Sequence, residues 1–198
     1  MPPRTRSTSF SPTEIASLQA QASLWPTGAL ATSHPDRTGP AFSAGLTGLL
    51  TSGTLMLFAL PVRAGLTMSA VTFHSGTQAA VAPTNQWAVI CNSSRVVKAV
   101  SPDLLTEAWA TVSPKTFTFA ASYTPTTNTF VYVGLMVAAG TVPAIYGTND
   151  AASSQHIAGL APIMAGASTT GMTTPPTVDS AAQTALTAKV QKAYFYIT

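Results

Sequence analysis

From about Thr54 onward the hydrophobic residues abandon a helical period and fall into short β-branched and aromatic runs, each closed by turn residues. Thr54–Leu60 is a short apolar run, and Pro61 to Gly65 turns. Leu66–His74 alternates, with Leu66, Met68 and Ala70 on one face and Val71 and Phe73 on the other. Gln86–Cys91 and Arg95–Val100 flank Asn92, Ser93 and Ser94, which reads as a hairpin. Lys115–Ala120 alternates as KTFTFA, and Thr124–Asn128 is rich in turn formers. Thr129–Ala138 is a long central-strand candidate in which Gly134 is expected to mark a bulge, and Val142–Tyr146 could add a further strand. This punctuation predicts an all-β protein, an antiparallel β-sandwich of jelly-roll-like connectivity.

Composition agrees with strands rather than charged helices. Only 8% of the 198 residues are charged, against roughly 25% in ordinary soluble domains. Thr, Ser, Gln and Asn must wet the surface instead, and Thr/Val-rich segments suit a pleated strand. With 46% hydrophobic residues and a formal charge of +3, the chain has neither the low hydrophobicity nor the high charge of a disordered protein. The length fits one domain with terminal extensions. Thr38 to Val62 lacks charge, but Gly45, Thr47, Gly48, Thr51, Ser52, Gly53 and Thr54 break its first half, so no membrane span is expected.

The flanking regions read differently. Residues 1–10 have the Pro, Arg, Ser and Thr composition of an arm that does not fold by itself, to be held by its own chain or by a neighbouring subunit. Ser11, Pro12 and Glu14 form a capping box, and Ile15, Leu18, Ala22 and Trp25 follow at helical spacing, which predicts a short N-terminal helix ending before Pro26. Ser101-Pro102-Asp103 is a helix-start signal for a turn or two over 101–110. Residues 147–180 are Gly, Ala, Ser, Thr and Pro-rich without period, and AYFYIT at 193–198 is a strand-like end that completes the sheet or pairs with a neighbour. The expected organisation is an assembly-binding arm and helix over 1–45, a sandwich over 46–146, and a long loop with a terminal strand over 147–198.

Chemistry-bearing patterns are scarce. No GxSxG elbow, P-loop or GxGxxG fingerprint occurs. His34, His74 and His156 stand far apart in no metal-binding spacing, and Cys91, the sole cysteine, forms no disulfide framework or thiolate cluster. It reads as core filling, in a chain made in a reducing compartment. Asp103 and Glu107 could share a helical face as paired carboxylates, although one capping acid and one solvent-facing acid is the simpler reading. Nine scattered basic residues do not make a nucleic-acid footprint. Asn92-Ser93-Ser94 is a formal glycosylation acceptor that reads as a turn, and no apolar stretch follows the N-terminal charges as a secretory signal would require. The expectation is therefore a non-enzymatic protein with no catalytic residue, no metal and no cofactor. Trp87 is expected in the core, while Trp109 and Tyr123, beside loops, are the candidates for contact with a host surface glycan. Arg4, Arg6, Phe10 and Trp25 near the start, and Tyr194, Phe195 and Tyr196 near the end, are the candidate assembly contacts.

At PVRAGLTMSAVTFHSG (61–76), NQWAVICNSSRVVKAVS (85–101) and YVGLMVAAGTVP (132–143) the chain resembles virion structural proteins of actinobacterial phages, of the head decoration or fibre and minor tail types. The likeness spans roughly residues 54–175 and rests on strand-and-turn patterns, not on catalytic signatures. The resemblance implies a β-sandwich displayed on the particle, commonly as a trimer, without enzymatic activity. Its implied partners are the major capsid protein or other virion proteins, with neither nucleic acid nor membrane. The protein would be made in the host cytoplasm and displayed on the extracellular particle, as a capsid decoration protein or, in the alternative, a minor tail or baseplate protein or a host-glycan-binding adsorption module.

Overall fold

The computed structural model describes residues 30–32, 43–46, 48–149, 163, 165–189 and 191–198. The chain divides into two units, Met1–Leu30 and Ala31–Thr198, and the strands below belong to the second except for the first residue of β1. The predicted N-terminal helix lies outside the described residues.

The described residues form strands and turns without a helix. In chain order the strands are β1 (Leu30–Thr32), β2 (Ser43–Leu46), β3 (Met56–Val62), β4 (Met68–His74), β5 (Val81–Cys91), β6 (Val97–Val100), β7 (Pro114–Tyr123), β8 (Thr129–Thr141), β9 (Ile145–Asn149), β10 (Ala165–Ala167), β11 (Thr187–Ala188), β12 (Gln191–Ala193) and β13 (Phe195–Ile197). They make a four-stranded sheet, β1-β13-β4-β7, a six-stranded sheet, β11-β10-β3-β8-β5-β6, and a three-stranded sheet, β12-β9-β2. The ladders are antiparallel. The run LMLFALPV, weighed above as part of a membrane span, supplies β3, and no helix among the described residues is long and apolar enough to cross a membrane.

Two burial patterns explain why the strands look different in sequence. β7 alternates exposed and buried from Pro114 to Ala120, as a strand with one wet face must. β3, β5 and β8 instead carry unbroken buried stretches, including Gln86–Cys91 and Val131–Val137, because both faces of the six-stranded sheet are covered. On one face Phe58 of β3 meets Phe73 of β4 and Phe195 of β13, with ring centroids 6.3 and 5.9 Å away, and Phe73 also contacts Phe117 of β7. On the other, Leu55, Leu57, Ala59, Trp87, Val89, Cys91, Tyr132 and Met136 form a cluster on which Met172 and Leu186 pack. Trp87 and Cys91 thus sit in the core, and burial pushes the Cys91 thiol up to about 12.

Three expectations are corrected. Gly134 marks no bulge, since β3–β8 pairing runs in step from Met56↔Leu135 to Val62↔Thr129 and Gly134 lies opposite both Leu57 and Val89. A Cβ there would lie 2.5 Å from Val89 Cγ2 and 2.8 Å from Leu57 Cδ2, so the glycine allows a close approach of packed side chains. The stretch 147–180, read as loop, supplies strand β10, which pairs with β3, while β13 pairs with β4 of its own chain, the first of the two alternatives for the terminal strand. Finally, 101–110 is not helical. The amide of Leu104 donates to Gln86 O, the amide of Leu105 donates to Asp103 Oδ1, and Leu105 has φ +48°, so the backbone leaves the helical basin as soon as it would enter it.

The predicted hairpin does form. Asn92 Oδ1 accepts from the amides of Ser94 and Val96, closing the turn between β5 and β6.

Candidate functional site

The segment that departs furthest from sequence expectation is the strap of residues 101–113 between β6 and β7, and it is pinned at each step. Asp103 is the first anchor: Oδ1 accepts from the amides of Gln86 (2.8 Å) and Leu105 (2.9 Å), and Oδ2 accepts from Asn85 Nδ2 (2.7 Å). Buried Gln86 continues it, its Nε2 donating to the carbonyls of Leu105 and Glu107. The Ala80 amide then donates to Trp109 O, and the Val112 amide to Gly76 O. Ser75 finishes the strap by donating through Oγ to Ala110 O and accepting from the Ser113 amide. The strap therefore runs antiparallel along residues 75–86.

Lys115 holds it from beneath. Its side chain is 6% exposed, and Nζ donates to the carbonyls of Glu107 (3.2 Å) and Ala108 (3.1 Å), with Glu107 Oε1 at 3.5 Å and the Trp109 ring centroid at 5.9 Å. Burial lowers its ammonium below the usual lysine range, against the attraction of Glu107. The acids of this region thus hold backbone and a buried cation: Asp103 caps a turn, not a helix, and Glu107 faces solvent.

Trp109 does not serve as an exposed glycan contact. It is 2% exposed, its Nε1 donates to Ser113 O, and its ring lies edge-on to Phe117 at 6.0 Å. The strap folds back and tucks the indole beneath itself, which proximity to a loop in sequence does not foretell. Tyr123 is half-buried at the end of β7. At the other end of the chain, Phe195 is fully buried among Phe58 and Phe73 and offers nothing to a neighbour. Tyr194 and Tyr196 stay half-buried on either side of His74, each ring centroid 6.0 Å from the imidazole. Arg4, Arg6, Phe10, Trp25, His34 and His156 lie outside the described residues. Among the described residues no group of three or more His, Cys, Asp or Glu could hold a metal ion.

Sequence reasoning missed three apolar side chains left in water along or beside the strap: Val81 (57% exposed), Leu105 (55%) and Val112 (62%). The sequence held no signal for them, because Leu105 lies in a stretch that looks helical and Val81 and Val112 lie between the predicted runs. No protein-family model, curated protein or solved structure matches the chain.

Proposed function

We propose that the protein is a non-enzymatic structural component of a bacteriophage particle, a capsid decoration protein that binds the lattice through residues 1–25 and displays its β body as an oligomer. The observation that carries the non-enzymatic part is the use of Asp103 and Glu107, the paired carboxylates singled out in the sequence, as braces for one strap together with Lys115. The resemblance of residues 54–175 to phage virion proteins supports the setting. A two-layer sandwich belongs to the same reading, with the four- and six-stranded sheets as its layers, and it is supported by the Phe58, Phe73 and Phe195 rings that meet between β3, β4 and β13.

Particles assembled without the protein provide the test. Full-length protein should co-sediment with them and saturate at many copies per particle, and Arg4→Glu with Arg6→Glu should abolish binding while leaving the far-ultraviolet circular dichroism unchanged. Saturation at a handful of copies would favour a tail or baseplate station instead, and undiminished binding by the charge-reversed protein would remove the arm from the contact. A glycan-binding adsorption module is the second reading, and the Tyr194, His74 and Tyr196 cluster favours it over Trp109 as the aromatic surface. Loss of glycan-array signal on Tyr196→Ala, with Trp109 intact, is its expected signature.

A further inference from the structure

Residues 103–112 carry the pattern of an amphipathic helix that the fold does not let form. At helical spacing Leu105, Trp109 and Val112 stand at i, i+4 and i+7 and share one face with Ala108, while Thr106, Glu107, Ala110 and Thr111 take the other. The first bond of a helix cap is already made, since the Leu105 amide donates to Asp103 Oδ1. Competition for hydrogen bonds stops the next turn. A helix would send the amides of Trp109, Thr111 and Val112 to the carbonyls of Leu105, Glu107 and Ala108. Gln86 Nε2 instead donates to Leu105 O (3.1 Å) and Glu107 O (2.6 Å), and Lys115 Nζ donates to Glu107 O (3.2 Å) and Ala108 O (3.1 Å). The Val112 amide is drawn off to Gly76 O at 2.8 Å.

The strap is held against its own preferences. Leu105 and Val112, near the two ends of the interrupted helix, both have φ +48°, a left-handed backbone that is an outlier for a β-branched residue such as Val. Such a conformation persists only where its surroundings over-determine it. The would-be apolar face is also split: Leu105 and Val112 are more than half exposed, whereas Trp109 between them is buried. Gln86 Oε1 is buried with no donor among the described residues, a further cost of the strap form. In a helix Leu105 and Val112 would return to a right-handed backbone and rejoin Trp109 on one face. We propose that residues 103–112 are a conformational switch with two states, the strained strap and an amphipathic helix, and that the side chains of Gln86 and Lys115 are the latch that holds the strap. The switch needs no partner, and it stands whether or not the protein belongs to a particle.

Gln86→Leu combined with Lys115→Met removes the latch from the full-length protein and leaves apolar side chains of similar length in its place. In the isotopically labelled variant the Cα chemical shifts of 104–112 should move into the helical range, while those of β3 and β8 stay at their wild-type values. Wild-type shifts retained over 104–112, or random-coil values there, would overturn the switch. Should the double variant fail to fold, saturation-transfer measurements on the wild-type chain decide. A minor state with helical Cα shifts over 104–112 is expected, and a coil-like minor state, or none, overturns the proposal. Leu105→Gly with Val112→Gly should deplete that minor state about tenfold or more, because glycine is at ease in the left-handed backbone and weakens a helix. An undiminished helical population in the glycine pair overturns the proposal as well.

Discussion

Gly134 shows how a single missing side chain can organise a core. It lies on β8 where Val89, Leu57 and Leu55 converge, and an added methyl would meet each of them within 3.0 Å. Val89 is β-branched and stiff, so little of the overlap can be relieved by a rotamer change. Gly134→Ala should cost about 1–3 kcal/mol of stability by overpacking, measurable as a lower urea midpoint at unchanged slope. Cys91, in the same buried cluster, makes a pH-dependent prediction. Its thiol is held up to about 12 in the folded chain, whereas in the unfolded chain it ionises near 8.5. The folded state therefore keeps a proton that the unfolded state gives up, and stability present below about pH 8.5 declines as pH rises from there toward 12. Cys91→Ala should flatten that part of the stability profile, and the native thiol should react with an aromatic disulfide reagent far more slowly than the urea-unfolded one. The burial of Cys91 and Trp87 was legible in the sequence because both sit in one apolar run. The role of Gly134 was not, since a glycine between Val133 and Leu135 reads equally well as a bulge or as a close approach.

At the level of elements, the strap of 101–113 carries the clearest lesson. Ser-Pro-Asp is a helix-start signal because an Asp side chain can accept the first free amides of a helix. The same side chain serves a turn equally well, and here β5 supplies Gln86, whose amide and carbonyl compete for the bonds a helix would have made. Local sequence carries no trace of a competitor fifteen or more residues away. Asp103→Asn should expose this dependence: one retained oxygen can still accept, but an amide group would face the Asn85 amide where a carboxylate oxygen now accepts. A loss of about 1–3 kcal/mol is expected, with accelerated amide exchange concentrated in 104–112 and little change in β3 or β8. The strands themselves were easier to foresee. β3, β5, β7 and β8 each overlap a predicted run, and the Asn92 hairpin closes where Asn, Ser and Ser suggested. Their ends shifted because cross-strand partners, not propensity, decide where a ladder stops: β5 begins at Val81 since Val81 finds Thr141.

For the whole molecule, continuous hydrophobicity in β3, β5 and β8 is the mark of a sheet covered on both faces, yet what covers each face lies far along the chain. Phe195 fills one side, and Met172 and Leu186 lie on the other. Phe195→Ala should cost about 3–5 kcal/mol, comparable with the loss of a central-strand aromatic, even though it lies in a strand of three residues. Calorimetry with a single cooperative transition lowered in temperature would confirm that this short strand belongs to the core.

The pairing of β13 with β4 also sets a schedule. Ser69 Oγ bonds Thr198 O across 129 residues of chain, and β4 can gain that partner only after everything between has been synthesised. Until then the edges of β3 and β4 that await β10 and β13 are bare, a state in which β-rich chains find wrong neighbours. Such long-range closure makes for slow folding. The yield of native protein should therefore fall steeply as expression temperature and translation rate rise, well before the finished fold is itself at risk.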